Sequence, residues 1–349
     1  MTLAALQDQI RTAAERAAPL RLRGGGSKDF YGNEPRGEVL DVRRHAGIVD
    51  YEPSELVLTA RGGTALAEVE ATLGAKGQCL PFEPPHFGAA TLGGCIAAGL
   101  SGPRRAAAGA LRDFVLGVKL VDGRGRLLEF GGRVMKNVAG YDVSRLLAGS
   151  LGTLGVIAEA SLKVLPRPPA EHTLRFDMDQ TAALDAMNAW AGEPLPISAT
   201  AWHDGALYVR LAGSAAAVLA ATPRLGGSDA GDSVALWRAI REQSHAFFAG
   251  DEPLWRLAVP SAAAPLGLAG SQFLEWNGAL RWLRSRASAQ EIRAAAKRAG
   301  GHATLFRASD KSDGAFAPLD PLLLRLHRAL KGAFDPAGIL NPGRMYAEF

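Results

Sequence analysis

Between Gly88 and Gly155 the chain carries fifteen of its 41 glycines, where an average chain has roughly 7% glycine. Glycine loses more conformational freedom on folding than any other residue. A run this dense therefore marks backbone that must turn with positive φ or approach something a Cβ would exclude. The stretch opens TLGGCIAAGLSGPRR at Thr91 and closes KNVAGYDVSRLLAGSLGTLGVI at Ile157. A packed core does not require it. Close approach of backbone to a ligand does.

A second glycine-rich loop, Gly24-Gly25-Gly26-Ser27, follows a short strand signal, LRLR. Small residues let successive backbone N–H groups point into one anion nest, which suits the diphosphate of a dinucleotide. GGGS is also linker composition. Neither GxxxxGK[ST] nor a GxGxxG opening a helix is present, so a P-loop or a Rossmann site is not supported.

At 349 residues the chain should form two domains, or one with a large insertion. Hydrophobic content of 48% is globular, and no run of 18 apolar residues suggests a membrane span. The N-terminus is amphipathic without an apolar h-region, unlike a secretory signal. Cys79 and Cys95 form no CxxC and no disulfide framework, which suits a reducing cytoplasm and leaves no iron–sulfur ligand set in this chain. The net charge of +4 is spread among 35 acidic residues, with no basic block interleaved with aromatics, so nucleic acid is not an expected partner.

Along the chain, a helix over about Leu3–Ala18 leads through LRLR to the first glycine loop. Strands VLDV and LVLTA follow, then a helix in TALAEVEATLGAKG, with Thr64 as its expected N-cap. DFVLGVKLVD and RLLEF flank the hairpin turn Asp122-Gly123-Arg124-Gly125, and GVIAEASLKVLP reads as a long strand. The Pro166-Arg167-Pro168-Pro169 cluster marks a boundary. Beyond it, strands such as ISATAW, ALYVRL, LWRLAV and the FLEWNGALRWL hairpin alternate with alanine-rich helices, which reads as an α+β cap.

Four blocks, RGGGSKDFYG (Arg23–Gly32), LPFEPPHFGAATLGG (Leu80–Gly94), GRVMKNVAGYDVSRLLAGSLGTLGVIAEA (Gly132–Ala160) and FDPAGILNPGRMY (Phe334–Tyr346), together resemble the FAD-binding domain shared by vanillyl-alcohol oxidase, p-cresol methylhydroxylase (PCMH) and the FAD-linked 2-hydroxyacid dehydrogenases. Within that superfamily the pattern is similar to the flavin-binding subunits of bacterial glycolate oxidases. The resemblance implies an α+β fold: a PCMH-type FAD-binding domain of two subdomains over residues 1–168, a ferredoxin-like α+β cap over 169–319, and a segment over 320–349 that returns to the flavin domain. It implies FAD as cofactor, held by Gly24, Gly25, Gly26 and Ser27, by Thr91, Gly93, Gly94, Ser101 and Gly102, and by Gly140, Asp142, Gly152, Gly155, Val156 and Ile157. Arg105 would neutralise the diphosphate or an acceptor carboxylate, or else face solvent. Asn341 and Arg344 would approach the flavin from the returning tail.

Two departures from the superfamily matter. The first loop lacks the histidine that covalently flavinylated members often carry there, so the flavin is expected to be noncovalent, with Cys95 a buried helix cysteine by default. The seven histidines also lack the spaced metal motif of dehydrogenases that work alone, so no metal site is expected. Oxidising an α-hydroxy acid needs a base near neutral pKa and a cation for the carboxylate. His86, beside the flavin loop, is a weak candidate for the base and reads more readily as a turn histidine exposed to solvent.

The expected function is that of the FAD-binding subunit of a multi-subunit glycolate (2-hydroxyacid) dehydrogenase. Its partners would be a second FAD-linked dehydrogenase subunit and an iron–sulfur subunit. The expected location is the cytoplasm or, through the complex, the inner-membrane surface. The alternatives are a self-sufficient flavin oxidoreductase on another alcohol or sugar substrate, and a flavin-binding scaffold without catalysis of its own.

Overall fold

In the computed structural model, which describes residues 2–132 and 142–349, two small subdomains lie side by side under one large sheet. The first is built on the parallel strands Leu20–Arg23 and Glu38–Asp41, covered by the helix Leu3–Glu15, whose Leu6, Ile10 and Ala13 form its buried stripe. Spacings of three and four put these residues on one helical face. The chain's end completes this core. Leu20 donates its backbone N–H to Ile339 (2.7 Å) and accepts from that of Asn341 (2.9 Å), and Ile339 and Leu340 are buried beside Leu6 and Leu40.

The second subdomain is a five-stranded antiparallel sheet in the order Ile48–Glu52, Val57–Arg61, Val156–Lys163, Val115–Val121, Leu127–Gly131. Helices Leu66–Gly74 and Leu92–Ala98 contribute to its buried core. Thr64 does not cap the first of these helices. The N-cap is Ala65, with no side-chain bond, and the Thr64 hydroxyl instead bridges Gly47, accepting from its N–H (2.9 Å) and donating to its carbonyl (3.2 Å). The Asp122 hairpin forms as expected: buried Asp122 accepts from the N–H groups of Arg124 and Arg126, each at 2.9 Å.

Beyond the proline cluster lies an eight-stranded sheet in the order Ser228–Asp229, Ala170–Asp177, Ala206–Gly213, Ile197–His203, Ser271–Glu275, Leu280–Arg284, Leu254–Ala258, His302–Arg307. Every neighbouring pair is antiparallel. Its first part follows the β-α-β-β-α run of ferredoxin-like units, and a second set of strands joins edge to edge through Ala201 and Glu275. One face packs on helices through Leu184, Met187 and Ile292. The other turns its aromatic side chains, Phe273, Trp282 and Phe306, toward Tyr31, Ala98, Leu100 and Leu151 of the subdomains below. The sheet is a lid pressed onto the glycine-rich loops.

Candidate functional site

The first glycine loop leaves the strand Leu20–Arg23 and crosses the start of the helix Leu92–Ala98. It packs too tightly for side chains: a Cβ on Gly24 would stand 2.2 Å from Thr91 Oγ1, one on Gly25 1.3 Å from the Ala89 carbonyl, and Gly26 has φ +74°. The glycines are thus required first by loop-on-loop packing. The packing has a chemical result, because the backbone N–H groups of Gly25, Gly26, Ser27 and Lys28 donate no hydrogen bond among the described residues. Consecutive uncommitted N–H groups are an anion nest.

These residues line a cleft with Arg23, Asp29, Thr91, Gly94, Ala97, Ala98, Leu151, Asn341 and Arg344. Gly94 opens onto it: a Cβ there would meet nothing within 4 Å except Thr91 Oγ1 at 3.1 Å. The Thr91 hydroxyl caps its helix by accepting from the Gly94 N–H (3.3 Å). Positive charge surrounds the nest. Arg23 is tethered by Asp29 at 2.8 Å, and burial lowers the pKa of the Lys28 ammonium below its usual value. Free N–H groups, a cavity a Cβ would fill and flanking cations fit the diphosphate of FAD, for which Gly24–Ser27, Thr91 and Gly94 would be the holders.

The remaining expected ligands divide. Ser101 and Gly102 line a second cavity, described below. Gly93 faces away from the cleft, where a Cβ would press on the Gly62 carbonyl at 3.0 Å. Gly152, at φ +72°, makes room for the Asn341 amide. Asn341 sits in the cleft wall with its amide committed, Oδ1 accepting from Leu22 N–H (2.8 Å) and Nδ2 donating to the Leu151 carbonyl (2.6 Å). Arg344 spends its guanidinium on the carbonyls of Lys28, Asp29 and Asn33, bracing the glycine loop from behind. Gly155, Val156 and Ile157 lie at the base of the central strand, where Val156 and Ile157 are buried opposite Val121 and Leu120. Asp142 caps the short helix Val143–Leu146, and Gly140 lies outside the described residues. Arg105 lies over the Trp276 ring, 4.5 Å from its centroid.

The sequence's candidate base is turned away. His86 Nε2 lies 3.1 Å from Glu70, the backbone N–H of His86 donates to Glu242 at 3.0 Å, and the neighbours that line the second cavity are Pro85 and Phe87. Cys95 is buried in its helix, with its thiol pushed up to about 12 by desolvation. Among the described residues, no three His, Cys, Asp or Glu side chains are grouped to hold a metal, and no helix is long and apolar enough to cross a membrane.

The second cavity lies between the segment Leu100–Pro103 and the large sheet, and sequence reasoning missed the polar residues on its sheet side. Its sheet side carries Arg256, Glu275 and Trp282. The register pairs Arg256 with Trp282 and Trp282 with Phe273, so these side chains form one row across three strands, with Glu275 two residues along on the same face. Trp282 donates its indole N–H to Glu275 Oε1 at 2.8 Å. Burial drives the Glu275 carboxyl up to about 7. The Arg256 guanidinium lies over Trp276, 5.3 Å from the ring centroid.

Comparison with known proteins agrees with this geometry. The family model "FAD binding domain" matches residues 2–131, and "FAD linked oxidases, C-terminal domain" matches residues 310–345. The chain is 50% identical to glycolate oxidase subunit GlcE of Escherichia coli, over 99% of this chain and 97% of that protein. It is 33% identical to glycolate oxidase subunit GlcD of Bacillus subtilis, over 47% of this chain and 36% of that one. It is 34% identical to a D-lactate dehydrogenase of Archaeoglobus fulgidus, over 45% and 36% of the two chains. Among solved structures, alkyldihydroxyacetonephosphate synthase superposes with a TM-score of 0.68 at 17% identity, covering 97% of this chain and 74% of that one, which establishes the PCMH-type fold. With a cleft suited to FAD and an end-to-end match at half identity, the chain belongs to the family of the glycolate oxidase subunit GlcE, FAD-linked oxidoreductases built on this flavin-binding fold.

Proposed function

We propose that this chain is the FAD-binding subunit of a multi-subunit dehydrogenase that oxidises glycolate or a close 2-hydroxy acid and passes the electrons to an iron–sulfur partner. The observation that carries the reading is the similarity to a glycolate oxidase subunit along the whole chain. A second FAD-linked dehydrogenase subunit completes the assembly. On this reading residues 1–168 and 320–349 form the flavin unit, with 169–319 inserted as its cap. The bonds between Leu20 and the tail at Ile339 and Asn341 support that division.

Bound FAD supplies a two-electron acceptor. The chain's own residues do the rest. The Gly25–Lys28 N–H groups hold the diphosphate, Arg23 and Lys28 offset its charge, and the cap excludes water from the loops through Phe273, Trp282 and Phe306. The attachment is noncovalent, because the first loop has no histidine and a buried thiol with its pKa near 12 is a poor nucleophile. With two cysteines in the chain, an iron–sulfur cluster held by four thiolates would belong to a partner.

Acid precipitation of the purified chain should release a yellow supernatant that behaves as FAD; colour kept in the pellet would refute noncovalent binding. Glycolate-dependent dye reduction should be weak for the chain alone and strong once the partner subunits are added. Robust turnover by the lone chain would favour a self-sufficient oxidoreductase.

A further inference from the structure

We propose that the outer face of the helix Pro321–Phe334 is a docking site for another subunit of the assembly, which seats there a helix apolar along one face and edged with carboxylates. The proposal rests on the reading of this chain as one subunit among several, and adds where the partner sits.

The helix is turned the wrong way round for a chain that stands alone. A surface helix faces its apolar stripe to the core and its charges to water, yet here the one buried residue of the 14 is Lys331. Leu322, Leu323 and Leu326 are 55%, 43% and 50% exposed. Leu322, Leu326, Ala329 and Ala333 follow one another at spacings of four, three and four, which sets them in a single row, and all four are exposed. That spacing is the seam of a helix pair. Its leucines supply knobs, and its alanines let a second backbone come near.

The rim says what the occupant carries. Arg325 and Arg328 flank the row on one side, exposed and without an ion-pair partner among the described residues. Beside Arg328 a groove of about 560 Å³ opens between the helix and the chain's tail, lined also by Arg36, Pro336, Pro342 and Phe349. Of the two acids there, Asp335 is held by Lys331 and Glu348 is exposed.

A second copy of this chain does not suit the face. The helix contains no Asp or Glu, so two copies paired along the seam would leave the arginines of both unmatched. A lipid surface suits it no better, since the row has no aromatic anchor and a shaped groove stands beside it. A carboxylate-edged helix completes both seam and rim. The position also suits a partner that takes part in electron transfer. Lys331 holds the helix to the Thr153 and Leu340 carbonyls, and Asn341, next in sequence to Leu340, lines the cofactor cleft. A subunit seated outside the helix stands one layer of structure from that cleft.

The test is biolayer interferometry of the FAD-loaded full chain against the purified dehydrogenase and iron–sulfur subunits of the same organism. Leu326→Glu should weaken binding by about tenfold or more with FAD content and melting temperature kept, because the side chain is exposed, while Leu326→Met should match wild type. The double variant Arg325→Glu, Arg328→Glu should weaken it by about threefold or more, and added salt should weaken wild type. Unchanged affinity in Leu326→Glu overturns the docking site and leaves the multi-subunit reading standing. Unchanged affinity in the arginine variant overturns the carboxylate edge. A wild-type chain that binds neither subunit refutes the multi-subunit reading, and the docking site falls with it. Dimerisation of the lone chain, or flotation with vesicles of phosphatidylglycerol and phosphatidylethanolamine, that Leu326→Glu abolishes would overturn the choice of occupant.

Discussion

Trp276, at the tip of the cap hairpin, donates its indole N–H to the carbonyl of Gly102 at 2.9 Å, binding the cap directly to a flavin-side loop. Gly102 must be glycine for that approach, since a Cβ would meet the Glu83 carbonyl at 2.1 Å. Trp276→Phe keeps most of the ring and removes the donor, leaving the carbonyl with only the longer bond from the Arg105 N–H at 3.2 Å. The expected cost is about 1–2 kcal/mol, read as a lower urea midpoint, together with weaker FAD retention as the cap loosens. A variant matching wild type in both would show that the bond does not hold the cap.

Neighbouring glycines should fail differently. A valine at Gly94 would project into the cleft, so Gly94→Val should give a folded but colourless protein, with near-wild-type circular dichroism and less than a tenth of the bound FAD. An aspartate at Gly93 would instead press on the Gly62 backbone, where a Cβ already stands 3.0 Å from the carbonyl. Gly93→Asp should therefore lose soluble yield before any cofactor effect can be measured. Stoichiometric FAD in Gly94→Val would show that the cleft is not the cofactor's.

A buried ion pair ties the tail to the flavin unit. Lys331 Nζ donates to Asp335 Oδ2 (2.7 Å) and to the carbonyls of Thr153 (2.8 Å) and Leu340 (2.7 Å), while Asp335 accepts the Leu340 N–H at 2.7 Å. Desolvation lowers the Lys331 pKa, and Asp335 opposes the shift. Lys331→Met would leave a buried carboxylate and two carbonyls unmatched, at an expected cost of about 3–5 kcal/mol. Denaturant unfolding should show it, with the double variant Lys331→Met, Asp335→Asn recovering part of the loss. A single variant as stable as wild type would mean the pair contributes nothing.

The cofactor loops were legible because glycine is demanded locally: Gly24, Gly25 and Gly94 can be read from composition, whether the demand comes from packing or from a ligand. The hairpin at Asn277-Gly278 was legible for the same reason, with Trp276, Asn277 and Gly278 all at positive φ. Arg256 and Glu275 were not. They stand in LWRLAV and FLEWNG as ordinary polar positions of alternating strands, and only the non-sequential order of the cap sheet, which sets Leu280–Arg284 between their strands, brings them to one cavity. His86 misled for the converse reason: its motif places the backbone near the site, where Glu242, distant in sequence, accepts its backbone N–H, but the ring is directed to Glu70.

The Glu275 carboxyl should make the protein's stability fall as pH rises from mild acid to neutrality. Glu275 is only 4% exposed. Desolvation first, with Glu83 adding, raises its pKa from 4.5 to about 7 against the opposing pull of the Trp282 hydrogen bond and Arg256. Below pH 4.5 the group is protonated in both folded and unfolded chains and contributes no slope. Between 4.5 and 7 the folded chain keeps a proton that the unfolded chain has released, so each pH unit removes about 1.4 kcal/mol from stability until the folded carboxyl also ionises. Across the window from 4.5 to about 7 the loss is about 3 kcal/mol. Glu275→Gln cannot ionise and retains an acceptor for Trp282, so its advantage over wild type should be small at pH 5 and about 2–3 kcal/mol larger at pH 8, measured by urea unfolding at both. A difference between the two proteins that does not change with pH would show that Glu275 is already ionised in the folded chain, and that Arg256 holds it more strongly than burial opposes it.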